Sequence, residues 1–170
     1  MQSLLSYKLA ERGTRVSEDD LRPAADATVT ASRALLGIIA RSMVPALEEV
    51  SLPQFRVLVL LSTAGPLRMK ALAERLGVTV STFSRTADRL VAGGWAVREN
   101  SPDSRREVIL APTEQGLALV ASVTDHRRRL VEGVLARMEP ADRDRLTRSL
   151  RAFTDAAGEP SVAELLILGL

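Results

Sequence analysis

The sequence predicts a mainly α-helical protein with one small β-hairpin. Three observations carry that expectation. Apolar residues recur at three- and four-residue spacing along most of the chain. Residues able to cap a helix, Ser51, Thr79 and Thr113 among them, stand where successive periodic runs begin. After Gly93-Gly94 the pattern changes to two short strand-like runs, Trp95-Ala96-Val97-Arg98 and Glu107-Val108-Ile109-Leu110. They are joined by Asn100-Ser101-Pro102-Asp103-Ser104, which is turn chemistry throughout.

Taken in order, residues 1–20 are an N-terminal extension without long periodicity, in which Leu4, Leu5, Tyr7 and Leu9 can make at most a short docking helix. Pro23 suits the first turn of a helix running to about Val44, where Pro45 ends or bends it. Val29, Leu36, Ile39, Met43 and Leu47 form one stripe on it, widened by Leu35, Ile38 and Val44. That is more apolar surface than a lone surface helix needs, which is consistent with residues 21–48 serving dimerisation. Ser51-Leu52-Pro53-Gln54 reads as a capping box with proline at the first helical position, and Gly65-Pro66 terminates the helix it opens.

Residues 51–112 form the region with a recognisable function. Leu72, Ala73 and Leu76 make a buried stripe, and Gly77 follows where a helix end needs a left-handed residue. Thr79 caps the next helix, whose inward face is Phe83, Ala87, Leu90 and Val91. Ser81, Thr82, Ser84, Arg85, Asp88 and Arg89 then face outward or along the flanks. Short hydroxylated side chains near a helix N-terminus let the backbone approach base edges in a major groove about 12 Å wide, and Arg85 can reach a guanine in bidentate fashion. The arrangement is a helix-turn-helix with a following hairpin, a wing, whose Arg98, Asp103, Ser104, Arg105 and Arg106 are candidates for the DNA-contacting set. The fold class is therefore a winged helix-turn-helix domain flanked by N- and C-terminal dimerisation helices.

Residues 113–157 supply two further helices. The first starts at Thr113 and carries Leu117, Val120, Val123, Leu130, Val131, Val134 and Met138, a rod of about 37 Å for about 25 residues. Arg127-Arg128-Arg129 in its middle reads as a solvated face. Pro140 opens the second, with Leu146, Leu150 and Phe153 inward. Residues 158–170 are an apolar tail, too short to span a bilayer, that suits packing on a dimer groove or partner subunit.

The composition is 46% hydrophobic and 26% charged with no cysteine, which excludes a disulfide framework and a thiolate metal site. Net charge is +2, but residues 68–106 hold eight basic and four acidic side chains, a local +4 where phosphate contacts would need it. No signal-peptide layout and no apolar run near 20 residues is found, so a cytoplasmic protein is expected. There is no phosphate-binding glycine loop, no metal-spaced histidine cluster and no nucleophile beside a base, so neither an enzyme nor a cofactor or metal is expected. His126, the single histidine, is a candidate for effector contact, although a packed or solvent-facing side chain is the plainer reading.

The blocks LRMKALAERLGV, STFSRTADRLVAGGWAVRE, SPDSRR and PTEQG resemble, in the same order, those of MarR-type (multiple-antibiotic-resistance regulator) winged-helix transcription factors. The resemblance extends more loosely over about Leu21 to Phe153. It implies a homodimer that binds palindromic double-stranded DNA, most simply a repressor, and a small-molecule effector pocket between the dimer helices and the winged domain. Two departures stand out. Arg68 occupies the position where the family's third helix usually starts on Ser or Thr. The family's wing Asp-x-Arg falls on Ser104 and Arg106 when counted back from Thr113, but on Asp103 and Arg105 when counted forward from the turn. A strand that cannot absorb an extra residue without a bulge favours Ser104, and both registers stay open. The competing functions are a winged-helix module for protein–protein contact and a ligand-independent architectural DNA-binding protein.

Overall fold

In the computed structural model, residues 18–101 and 104–158 are described. The elements are α1 (Glu18–Glu49), α2 (Leu52–Ala64), β1 (Leu67–Arg68), α3 (Met69–Arg75), α4 (Val80–Ala92), β2 (Ala96–Ser101), β3 (Ser104–Pro112), α5 (Glu114–Leu135) and α6 (Pro140–Ala157). By contacts the chain divides into residues 1–37 and 38–170. The described part of the first unit is the N-terminal portion of α1, where every side chain from Asp19 to Leu36 is exposed.

α1 starts earlier than expected, and Pro45 does not end it. It begins at Glu18, so Pro23 lies past the first turn, and it continues through Pro45 to Glu49. A proline inside a free helix costs roughly 3 kcal/mol through the lost hydrogen bond and the ring clash. Beyond Pro45 the burial of Ala46 and Val50 holds the helical course, and the Val50 N–H still donates to the Ala46 carbonyl at 2.9 Å. By length and composition α1 also meets the minimum for a membrane-crossing helix, which the sequence reading did not anticipate. Arg33 and Arg41 interrupt that run, and Ile38, Ser42 and Ala46 are buried in the protein.

α2 opens as its capping residues require, with Gln54 Oε1 accepting from the Ser51 N–H at 2.8 Å and from its hydroxyl at 2.7 Å. Its Phe55, Val57, Leu58, Leu60 and Leu61 are buried. They meet Leu72 of α3, Phe83 and Leu90 of α4, Leu110 of β3 and Val123 of α5 in one core. Each such side chain removed from water contributes roughly 1.5–3 kcal/mol. The strands form an antiparallel sheet in the order β1-β3-β2. Leu67 pairs with Leu110 on one side of β3, and Ala96 to Asn100 pair with Pro112 to Val108 on the other.

The last two helices are corrected in detail. α5 ends at Leu135, a rod of 22 residues or about 33 Å. α6 has no buried residue; Leu146 is half-buried, but Leu150 is 49% and Phe153 54% exposed, so most of the face expected to point inward is uncovered within one chain.

Candidate nucleic-acid interface

The site is built around α4. Gly77, at φ 66°, closes the turn after α3 in the left-handed region, and Thr79 sits in extended backbone as the N-cap. The Thr79 hydroxyl oxygen accepts from the Thr82 N–H at 3.2 Å, donates to Thr82 Oγ1 at 3.0 Å and lies 3.0 Å from Ser81 Oγ. Three exposed hydroxyls are thus gathered at the positive end of a helix dipole, a setting that suits anionic oxygens. Phe83, Ala87 and Leu90 are buried beneath, so their burial fixes which face looks out. Arg85 and Arg89 are exposed on that face, and Ser84 is half-buried at its flank. Between α3, the start of α4 and β3 lies an open groove of about 460 Å³, with Lys70, Val80 and Val108 in its wall.

The sequence reading missed two ion pairs. Arg98 of β2 donates to Asp88 of α4, Nη1 to Oδ1 at 2.7 Å. Arg98 is therefore tied to the recognition helix, and its charge is offset there. Arg68 does stand at the N-cap of α3 without a side-chain cap, and its Nε meets Glu107 Oε2 across the β1–β3 ladder at 2.9 Å. Both pairs join residues remote in sequence, and no local pattern announces them.

The hairpin follows β2 and β3 as expected, but its ladder shifts register. Asn100 pairs with Val108, yet the next residue, Ser101, pairs with Ser104. One step on β2 corresponds to four on β3, so the strand does absorb extra residues. The argument that favoured Ser104 over Asp103 loses its premise. Ser104, Arg105 and Arg106 lie on the β3 backbone, while Asp103 and the side chains of residues 101–106 fall outside the described part.

The arginine triplet of α5 is not a uniformly solvated face. Arg127 is half-buried, and its Nε donates to the buried Ser42 hydroxyl at 3.3 Å. Burial lowers its guanidinium below the ordinary arginine value. Arg128 pairs with Asp125 at 2.7 Å. His126 is half-buried and lines a cavity of about 270 Å³ with Ser42, Pro45, Ser122, Val123 and Arg129. Among the described residues no group of His, Cys, Asp and Glu side chains is placed to hold a metal ion.

A helix pair packed on one core, a hydroxylated and basic outer face on its second helix and a following hairpin define a winged helix-turn-helix protein. The profile of the MarR family matches residues 50–108. Over 108 residues the chain is 26% identical to the HTH-type transcriptional regulator YfiV of Bacillus subtilis (strain 168), covering 64% of this chain and 68% of that protein. The crystal structure of RV1404 from Mycobacterium tuberculosis superposes with a TM-score of 0.70 at 42% identity, covering 87% of this chain and 99% of the other. The transcriptional regulator Tm0710 from Thermotoga maritima gives a TM-score of 0.68 at 20% identity, covering 82% and 99%, and so speaks for the fold. The chain belongs to the MarR family, and it is a DNA-binding transcriptional regulator.

Proposed function

We propose that this regulator is a homodimeric repressor that reads a palindromic operator and is released by a small organic ligand, in the cytoplasm. The observation that supports it most is α4, which buries Phe83, Ala87 and Leu90 and leaves Ser81, Thr82, Arg85 and Arg89 exposed. In this reading Arg85 contacts a base, while Ser81, Thr82, Ser84 and Arg89 contact base edges and phosphates. Thr79 orients that set as the cap. Arg105 and Arg106 of the wing enter the flanking minor groove, and Arg98, partly neutralised by Asp88, lies at the base of the wing.

The dimer is assigned to residues of about 21–48 and 135–170. Its support is the uncovered apolar surface of Leu35 and Leu36 in α1 and of Leu150 and Phe153 in α6. The ligand is assigned to the cavity beside His126, where Arg129 and the hydroxyls of Ser42 and Ser122 offer polar contacts above Val123. A ligand that prefers a dimer with wrongly spaced recognition helices lowers operator affinity.

Selection of bound duplexes from genomic fragments, followed by footprinting and titration at several salt concentrations, tests the reading. It expects two half-sites about 10 base pairs apart, or a multiple of that, and affinity that falls steeply with salt. Absence of a footprint together with salt-insensitive binding would overturn it in favour of a protein–protein module.

A further inference from the structure

The last residue of the recognition helix, Ala92, and the first of α5, Glu114, are 22 positions apart, yet their flanking turns are hydrogen-bonded to each other. The connection starts inside α4. The Trp95 N–H donates to the Leu90 carbonyl at 2.9 Å, and the Gly94 N–H to that of Val91 at 3.0 Å. The Trp95 carbonyl in turn accepts from the Thr113 N–H at 3.2 Å, and the Gly94 carbonyl accepts from the Thr113 hydroxyl at 2.7 Å. The same hydroxyl oxygen accepts from the Gly116 N–H at 3.1 Å, as an N-cap does. Capping α5 needs only that last bond. The bond outward to Gly94 is additional, and it ties the cap of one helix to the end of another.

Packing closes the joint. Gly116 lies against the Trp95 carbonyl so tightly that a Cβ would stand 2.3 Å from its oxygen. Gly94 takes φ 76°, which turns the chain at the end of α4, and Trp95 behind it is 9% exposed.

We infer that Thr113 and Gly116 act as a clamp that makes α5 and the recognition helix one lever, and thereby set the spacing at which two copies present α4 to DNA. The spacing role rests on the dimeric reading proposed above; the clamp itself does not. Over a rod of about 33 Å a tilt of about 5° displaces the far end by about 3 Å. That is close to the rise of about 3.4 Å between successive base pairs. A tilt of that size at the clamp would therefore move α4 by nearly one base-pair step.

The test uses the full chain with Thr113→Val, which keeps the shape and removes the hydroxyl, and Thr113→Ser, which restores it. Each is titrated on a duplex selected from genomic fragments, on that duplex with its spacer changed by one base pair, and on a single half-site. Wild type and Thr113→Ser should lose about tenfold or more on the altered spacers, whereas Thr113→Val should lose only about twofold to threefold there. Half-site affinity should stay within about twofold for all three, which a merely unfolded variant could not achieve. A spacer preference unchanged in Thr113→Val overturns the spacing role.

The chain has no native cysteine, so Ala92→Cys and Glu132→Cys, both exposed positions, place one spin label on α4 and one on α5. Diluted with unlabelled chain, the labelled protein should give a single narrow distance, broadened by Thr113→Val and not by Thr113→Ser. An unbroadened distance in Thr113→Val overturns the clamp. A wild type that selects no duplex removes the dimeric reading and the spacing role together, while the distance measurement still decides the clamp.

Discussion

Two glycines in α5 look alike in the sequence and differ in what surrounds them. Gly116 faces the Trp95 carbonyl and Leu58, whereas nothing lies within 4 Å of where a Cβ on Gly133 would point. Gly116→Ala must displace backbone and should destabilise the protein by roughly 1–3 kcal/mol. Gly133→Ala only removes conformational freedom from the unfolded chain and should stabilise by roughly 0.5–1 kcal/mol. Thermal unfolding should move in opposite directions for the two, and a common direction would contradict the packing described here. Arg127 carries a similar lesson. Its place in an arginine triplet suggests three equivalent cations, but only its own guanidinium is drawn down to Ser42, because that position of α5 turns towards α1.

Among the elements, α4 and the base of the wing share one surface, and their charges act on DNA together. Arg85→Ala should cost about 1–3 kcal/mol on the selected duplex and relax preference at one base pair of each half-site. Equal affinity and unchanged preference would remove Arg85 from base reading. Asp88→Asn should do the reverse: it deletes a carboxylate from the outward face and releases Arg98, so binding should tighten and the salt slope steepen by about one. Because the Asp88–Arg98 pair is at the surface, folding stability should change by no more than about 1 kcal/mol. Weaker binding by Asp88→Asn would instead make the pair a required support for the wing. The capping residues Ser51, Thr79 and Thr113 and the turn glycine Gly77 were legible in the sequence because each acts on its own neighbours. So was the outward face of α4, since helical spacing alone separates Phe83, Ala87 and Leu90 from Ser81, Thr82, Arg85 and Arg89. The partners of Arg68, Arg98 and Arg127 were not, because those bonds join elements that meet only in the fold. Nor was the register shift after Asn100, which depends on how two strands align rather than on either strand by itself.

At the scale of the whole molecule, the uncovered apolar faces of α1 and α6 remain to be occupied. Leu36, 52% exposed, and Phe153 are the side chains most suited to test the proposed self-association. At micromolar concentration the wild type should have twice the chain mass in solution, and Leu36→Glu and Phe153→Glu should each shift it towards the single-chain mass. These variants should lose more affinity on the two-half-site duplex than on a half-site. A double-mass species that survives both substitutions would place the interface elsewhere. The sheet offers association a poorer route. β1 has only two residues, β2 carries Arg98 and Glu99 along its outer edge, and the ladder breaks register after Asn100. Short edges, charges and bulges are what keep open strands from templating one another. Among the described residues, copies of this protein that meet during synthesis or heating therefore find only short, charged and irregular strand edges to extend, and most of the large exposed apolar side chains lie on helices instead.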